Sequence, residues 1–255
     1  MSRPTKPAAE GDDLVAGRRS VIELLRAGNP ILRILIAQES VRSASTLEIR
    51  KLADAASVPT RVVPRAEIDR LLSEVNHQGV AAFVGRYRFT PLDRLLEGER
   101  PLVLFLDGLN DPQNLGSLLR SAEGSGFHGV VIPARRSVGV TAAVRKVAAG
   151  AAELVPVARV GNLGQALDQA KQAGMWVVGL DERGEDDLWT SDLLEPPVAL
   201  VLGAEDKGLS PSIRDRCDGL LRIPMRGRLG SLNVGVAGAI AMFEAARRKA
   251  MSANL

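Results

Sequence analysis

The sequence predicts an α/β protein with two units, the second larger than the first. Short hydrophobic segments alternate with amphipathic helical segments in residues 14–88, and the alternation restarts at residue 101 and continues through residue 255. In the second stretch the hydrophobic segments are rich in Val, Leu and Ile, as is typical of a parallel sheet covered on both faces. FTPLDRLLEGER, at residues 89–100, is polar and contains a proline, so we interpret it as a linker.

The first unit is predicted to contain three helices and three strands. LVAGRRSVIELLRAG has helical spacing and ends at Gly28-Asn29-Pro30, and STLEIRKLADAAS and RAEIDRLLSE are the other two helices. The predicted strands are ILRILIA, TRVVP and GVAAFVGR. Residues 1–13 have no apolar run after their basic residues, so we expect a disordered tail and no signal peptide.

In the second unit, strands are predicted in LVLFLD, GVVIP, ELVPVAR, MWVVGLD, VALVLG and LLRIP. A long helix is predicted from about Leu232 to Lys249, with Val236, Ala239, Ile240 and Phe243 as its core face. Ligands of parallel sheets bind beyond the C-terminal ends of the strands. We therefore expect the functional residues in the loops that follow these strands.

Composition limits the classes of function. The chain is 45% hydrophobic, enough for a packed core, and has no apolar run of the roughly 18 residues that a membrane span requires. A single cysteine, Cys217, forms no internal disulfide and makes no metal site alone, so we expect a reducing cytoplasm. Aromatic residues make up only 3% of the chain, which argues against a surface that stacks several bases.

Positive charge is concentrated in the first unit. Residues 14–88 hold 12 Lys and Arg against 7 Asp and Glu, whereas residues 101–255 hold 17 of each. A basic unit beside a neutral one indicates that the first binds a polyanion. A solvated basic face without a partner would give the same counts, so charge alone leaves both interpretations open.

The loop after the first strand of the second unit argues against a nicotinamide enzyme. A dinucleotide-binding fold would place G-x-G-x-x-G here, but the chain has Asp111-Pro112-Gln113-Asn114. By residue type alone, Asn114 could cap the following helix and Arg120 could be an ordinary surface cation. Both become candidate functional residues only in combination with the other loops.

Two further loops carry polar residues beside glycines. Gly203 stands where a strand emerges and lets ligand and backbone approach closely, and Glu205 follows it. A charged loop closed by Gly208 would explain the same residues. Ser231 and Asn233 open the last helix, where Ser231 could be a plain N-cap.

Together the three loops are specific. NDPQNLGSLLRSAEGSG, LVLGAEDKG and IPMRGRLGSLNVGVA, in this order, resemble the three motifs of the SpoU, or TrmH-like, branch of the SPOUT methyltransferases. The likeness runs through residues 101–249. GRRSVIELL and NHQGVAA make residues 14–88 resemble the L30e-like RNA-binding domain that precedes the catalytic domain in bacterial 23S ribosomal RNA 2′-O-methyltransferases.

The resemblance implies a fold, a reaction and partners. The fold would be a SPOUT domain over residues 101–255 with a deep trefoil knot, preceded by the smaller L30e-like domain. The reaction would be methyl transfer from S-adenosylmethionine, without a metal, to a ribose 2′-hydroxyl, most directly of a 23S ribosomal guanosine. The protein would work as a homodimer and would not bind a membrane. The alternatives are a transfer-RNA enzyme, an antibiotic-resistance ribosomal enzyme and a non-catalytic RNA-binding assembly factor.

The resemblance also assigns residues. The implied catalytic residues are Asn114, Arg120, Glu205, Ser231 and Asn233; the cofactor contacts are Gly203, Ile223, Met225 and Leu232; the RNA contacts are Arg18, Arg19, His77 and Gln78.

The sequence departs from the family pattern in three places. Gly235 stands where relatives usually have Ser, Arg18-Arg19 replace an Ile-His or similar pair, and Asp206-Lys207 replace a commoner Gly-Glu. A general-base role has been proposed for the family's arginine, but arginine is effectively always charged. We expect Arg120 to stabilise the developing alkoxide and orient a phosphate, and the proton acceptor stays open between phosphate, Glu205 and water.

Overall fold

The computed structural model describes residues 13–26, 28, 31–72, 76–85, 87–228 and 230–252. By their internal contacts these residues form two units. The first holds the described residues up to Arg88 together with Val140–Leu154, and the second holds Phe89–Gly139 and the described residues from Val155 onward. The predicted α/β class with a parallel sheet is confirmed. The predicted boundaries placed residues 140–154 in the second unit, whereas their contacts place them in the first.

The first unit is a four-stranded sheet with helices on it. Its elements are β1 (Asp13–Ala16), α1 (Arg18–Arg26), β2 (Ile31–Ala37), α2 (Ala44–Ala55), β3 (Thr60–Val63), α3 (Arg65–Leu71) and β4 (Val80–Val84). The strand order is β1-β4-β2-β3, with β4 antiparallel to both of its neighbours. Both faces are covered, because Leu24 and Ile49 pack on one face and Ile68 packs on the other.

The prediction for this unit missed β1. The four residues of β1 directly precede the turn at Gly17, whose φ is +100°. Three of them, Leu14, Val15 and Ala16, were predicted to begin the helix that follows. The predicted tail lies outside the described residues except for Asp13, which begins β1. Asn29 and Pro30 of the predicted helix stop also lie outside them.

The second unit carries a seven-stranded sheet, and α6 and α7, which interrupt it in the chain, belong to the first unit. In chain order, the elements from residue 92 onward are α4 (Leu92–Leu96), β5 (Leu102–Asp107), α5 (Pro112–Ser125), β6 (Gly129–Pro133), α6 (Ala142–Ala148), α7 (Ala151–Leu154), β7 (Val157–Val160), α8 (Leu163–Gln172), β8 (Trp176–Leu180), β9 (Asp186–Asp187), β10 (Val198–Gly203), α9 (Pro211–Arg214), β11 (Gly219–Arg222) and α10 (Val234–Ser252).

The order of this sheet determines which loops meet. It is β7-β6-β5-β10-β8-β11-β9, and every neighbouring pair is parallel. The loops after β5, β10, β8 and β11 therefore leave from the same edge in adjacent positions. The trefoil knot stays a prediction.

Two parts of the second unit differ from their sequence interpretation. The segment interpreted as a linker contains α4, whose Leu95 is 1% exposed and packs against the sheet core. In α10 the predicted core face was wrong, since Val236 is 49% and Phe243 52% exposed. Small residues instead bury the opposite face of α10, where Gly235, Gly238 and Ala241 allow close packing on α5 and β10.

None of the described helices combines the length and the hydropathy that crossing a membrane would require.

Candidate functional site

The site lies where β10, β8 and β11 end. A cavity of about 420 Å³ opens there, within the range of ligand-binding pockets. Its walls come from the loops after these three strands and from the end of α9, and the lining residues are Leu180, Asp181, Glu182, Arg183, Leu202, Gly203, Ala204, Glu205, Asp206, Lys207, Gly208, Arg214, Ile223, Met225, Gly230, Ser231, Leu232 and Val234. All four residues that were assigned to the cofactor line this cavity, as do Glu205 and Ser231.

Gly203 is required by the backbone that folds over it. A Cβ at this position would stand 2.0 Å from the carbonyl carbon of Gly208, far inside any real contact. The segment from Ala204 to Gly208 is closed by two backbone hydrogen bonds, Ala204 N to Gly208 O at 3.1 Å and the reverse at 2.9 Å. This hairpin presents Glu205 at the edge of the cavity.

A chain of three hydrogen bonds links the catalytic candidates beside the cavity. The backbone N–H of Gly235 donates to Asn233 Oδ1 at 2.9 Å, and Asn233 Nδ2 donates to Asn114 Oδ1 at 3.0 Å. Asn114 Nδ2 in turn donates to Glu205 Oε1 at 2.7 Å. We call Glu205, Asn114 and Asn233 the amide cluster. Its members come from three distant parts of the sequence, and each amide has its orientation fixed by the next.

Asn114 and Asn233 are positioned by helix starts, but Asn114 is not the helix cap that its residue type would have allowed. Asp111 caps α5, since its side chain accepts from Gln113 N at 2.8 Å, and Asn114 lies one turn inside the helix. Asn233 takes the cap position of α10 through its bonds to Gly235 N and Val236 N. Asn114 is 6% exposed, so the bonds within the amide cluster supply the partners that a buried amide requires.

Arg120 is not brought into the amide cluster. It follows Asn114 by six residues, roughly 9 Å along the helix axis, and its side chain is exposed. It does not line the cavity, and within the described part of the chain it forms no hydrogen bond or ion pair. Arg120 precedes Gly124 by one turn, and a Cβ at Gly124 would be 3.5 Å from Phe243 Cζ. Arg120 therefore projects beside the exposed apolar strip of α10 that contains Val236 and Phe243.

The RNA-contact candidates lie together in the first unit. Arg18, Arg19 and Gln78 line a groove of about 510 Å³, which we call the arginine groove. Arg18 Nε donates to the Gln78 carbonyl at 3.0 Å, so this arginine is anchored while Arg19 is exposed.

His77 has a structural role behind the arginine groove. It is 3% exposed, accepts from Gly79 N through Nδ1 at 3.1 Å and lies 2.7 Å from Asp69 Oδ1 through Nε2. These bonds fix the turn into β4. Gly79 is needed because a Cβ there would be 2.0 Å from Ser40 Oγ.

Several lining residues were not indicated by the sequence motifs, among them Asp181 and Arg214. Arg214 Nη2 donates to Asp181 Oδ2 at 2.6 Å. The position of Asp181 directly after the strand MWVVGL was the available signal, because the other functional loops follow strands in the same way. With these two included, the cavity lining holds four carboxylates and three cationic side chains. The resulting net charge is −1.

Cys217 supplies no nucleophile to this site. Burial raises the pKa of its thiol to about 11, so the thiol is protonated at neutral pH. Among the described residues, no group of three or more His, Cys, Asp or Glu side chains is arranged to hold a metal ion.

Sequence comparisons match both units. Residues 101–243 match the SpoU rRNA Methylase family, and residues 14–90 match a domain described as RNA 2′-O ribose methyltransferase substrate binding. A Bacillus subtilis protein whose name assigns it to the TrmH family of tRNA/rRNA methyltransferases is 39% identical over 242 residues. That alignment covers 93% of this chain and 96% of the relative.

Solved structures are similar over nearly the whole chain. The SpoU methyltransferase AviRb from Streptomyces viridochromogenes, in complex with AdoMet, superposes with a TM-score of 0.80 at 29% identity, covering 95% of this chain and 92% of AviRb. An AdoMet-bound rRNA methyltransferase from Sinorhizobium meliloti gives a TM-score of 0.78 at 26% identity, covering 93% and 88%.

Proposed function

The chain belongs to the SpoU/TrmH family of RNA methyltransferases, and from this premise we propose that it methylates a ribose 2′-hydroxyl of a 23S ribosomal guanosine. The cofactor is S-adenosylmethionine. The observation that carries the proposal is the amide cluster, which joins Glu205, Asn114 and Asn233 beside a cavity lined by all four proposed cofactor contacts. We place the enzyme in the cytoplasm, in keeping with its single cysteine.

The cavity fits the cofactor in size and charge. Its volume of about 420 Å³ suits a ligand of nucleoside size, and its net charge of −1 complements a cofactor with two positive groups and one carboxylate. When bound, the cofactor supplies a methyl group on a positively charged sulfur. Gly203, Ile223, Met225 and Leu232 would hold it, with the backbone close to the ligand at Gly203.

The amide cluster orients the groups that receive the ribose. Glu205 Oε1 accepts from Asn114, while Oε2 accepts no hydrogen bond from any described residue. Oε2 is therefore free to accept from the attacking hydroxyl, and an RNA phosphate or water are the other acceptors for its proton. Holding the hydroxyl in line with the methyl carbon lowers the barrier because the entropy of alignment is lost on binding. Ser231 lines the same cavity and completes the polar wall.

Arg120 serves as a fixed positive charge. It stabilises the alkoxide that develops on the ribose and orients a phosphate. Its exposed position beside the apolar strip of α10 supports a homodimer, in which a second copy covers Val236 and Phe243 and brings Arg120 next to a catalytic cavity. Exposed side chains of this size on one helix are typical of an interface.

The arginine groove of the first unit is the proposed RNA contact. Arg18 and Arg19 supply charge for backbone phosphates, and Gln78 exposes an amide at a turn where its φ is +51°. His77 contributes by holding this turn, through its bonds to Gly79 and Asp69.

Transfer of tritiated methyl from S-adenosylmethionine tests the proposal. Ribosomal and transfer RNA from a strain that lacks the gene are the substrates, and 23S RNA from the parent strain, already methylated, is the control. We expect label in 23S RNA from the deletion strain alone, recovered as 2′-O-methylguanosine. Label in transfer RNA would make this a transfer-RNA enzyme. RNA binding without incorporation would make it an assembly factor.

A further inference from the structure

An ion pair forms one wall of the cavity. It lies at the end of β8, whereas Asn114 and Glu205 of the amide cluster follow β5 and β10. Asp181 follows β8 and has a side chain only 5% exposed, while Arg214 at the end of α9 is 33% exposed. The Nη2 to Oδ2 distance is 2.6 Å. Both residues line the cavity, and neither belongs to the amide cluster or to the four proposed cofactor contacts.

Both partners are held in place by the surrounding fold. Ile213, next to Arg214, is 4% exposed in the core, and Ser210 N at the start of α9 donates to Asp107 Oδ2 at 2.7 Å. The second oxygen of Asp181 accepts from Arg183 N at 2.9 Å, so both of its oxygens are in use. The guanidinium of Arg214 is therefore fixed in orientation before any ligand arrives.

Arg214 keeps hydrogen-bonding capacity that Asp181 lacks. A guanidinium has five N–H donors in a planar fork that matches a carboxylate. The bond to Asp181 is the one hydrogen bond that this side chain makes within the described residues. A second carboxylate could share the fork without displacing the first, and a cavity-lining arginine is a natural partner for one.

The other two cations of the lining are less suited to bind an anion. Arg183 has a side chain 75% exposed and lies 4.0 Å from Glu182, so it stays solvated. Lys207 is exposed at the tip of the hairpin after Gly203. An exposed ammonium is strongly hydrated and offers no fixed geometry.

We propose that Arg214 binds the carboxylate of the methionine part of S-adenosylmethionine, with Asp181 as the residue that positions the guanidinium. The carboxylate is the one anionic group of that cofactor. The proposal rests on the proposed function for the identity of the ligand. It assigns to the cavity a subsite that selects cofactors with an intact amino-acid end.

Paired ligands separate this role from a structural one. Isothermal titration measures binding of S-adenosylmethionine and of its decarboxylated form to the wild type and to Arg214→Gln. We expect the substitution to weaken binding of S-adenosylmethionine by about 10- to 100-fold, the usual effect of losing a charged hydrogen bond. Binding of the decarboxylated form should change less than about 3-fold, because it has no carboxylate to lose.

Arg216→Gln is the matched control. Arg216 is in the same segment and pairs with Asp168 at 3.5 Å, but it does not line the cavity, so both ligands should bind as to the wild type. Asp181→Asn should weaken binding of S-adenosylmethionine more than binding of the decarboxylated form, by a smaller factor than Arg214→Gln does.

Two results would overturn the subsite. One is an equal loss of affinity for both ligands in Arg214→Gln, with an unchanged unfolding midpoint. This would mean that Arg214 shapes the cavity as a whole. The other is unchanged binding of S-adenosylmethionine. If the wild type bound neither ligand, the proposed function would fail instead, and this outcome differs from both.

Discussion

The amide cluster and the arginine groove, the proposed catalytic and RNA-binding sites, are built in opposite ways. In the amide cluster, side chains from three distant segments bond to one another at 2.7 and 3.0 Å, and Asn114 is buried. In the arginine groove, Arg18 and Arg19 are adjacent in sequence, and Arg19 is exposed. Methyl transfer depends on alignment to a fraction of an ångström, whereas phosphate binding depends on charge and tolerates movement. Function of the amide cluster should therefore be sensitive to the placement of single atoms, and that of the arginine groove to net charge.

The largest effect is expected from Arg120, which shares neither the fixed geometry of the amide cluster nor the first unit's groove. Arg120→Ala should lower the rate of methyl transfer by about 10²- to 10³-fold, as expected for loss of a group that stabilises developing negative charge. The affinity for S-adenosylmethionine should stay within about 2-fold, because Arg120 does not line the cavity. Single-turnover rates and titration of the cofactor measure the two quantities. An equal loss of cofactor binding would assign Arg120 a structural role.

An intermediate effect is expected from the arginine groove. Arg18→Glu combined with Arg19→Glu should weaken RNA binding by about 10-fold or more, and the slope of log affinity against log salt should fall by roughly 0.7–0.9 for each lost phosphate contact. Arg61→Glu with Arg70→Glu makes the same change of charge in the same unit outside the groove. If the control pair weakened binding equally, the RNA site would be spread over the unit.

The smallest effect tests how tightly the amide cluster is packed. Gly235→Ser restores the hydroxyl usual in the family, but its Cβ would lie 2.5 Å from Ser117 Oγ and 3.1 Å from Asn233 Oδ1. We expect the methyl-transfer rate to fall by about 3- to 10-fold, since small displacements of catalytic groups are costly. Adding Ser117→Ala removes the closest atom and should recover most of the loss. Unchanged activity in Gly235→Ser would mean that the amide cluster accommodates the added side chain without losing its alignment.

The sequence predicted the long strands well, because long buried strands have a clear pattern, and it placed the candidate residues in the loops after those strands, where ligands of parallel sheets bind. It missed β1, whose four residues are too few to show a period. It also chose the wrong face of α10. Val236, Ile240 and Phe243 form a regular apolar stripe, but four of the seven buried residues of α10 are glycine or alanine, which patterns of large side chains do not reveal.

Contacts between distant segments were beyond prediction. The bonds from Asn233 to Asn114 and from Asn114 to Glu205 join residues 119 and 91 positions apart. Motif resemblance grouped these residues without showing which atom faces which. No sequence motif indicated the pair of Asp181 and Arg214, because these residues become neighbours only when β8 and α9 lie side by side in the fold.

The hairpin from Ala204 to Gly208 has a consequence for how this enzyme can diversify. Its two backbone bonds and the bare Cα of Gly203 hold its base, so the position of Glu205 does not depend on the side chains of Asp206 and Lys207 at the tip. Those two residues are exposed, and they stand where the sequence motif of the family suggested a Gly-Glu pair. If Glu205 has the proposed catalytic role, the tip can change its charge without moving the carboxylate, because the bridge between Ala204 and Gly208 holds the base of the hairpin.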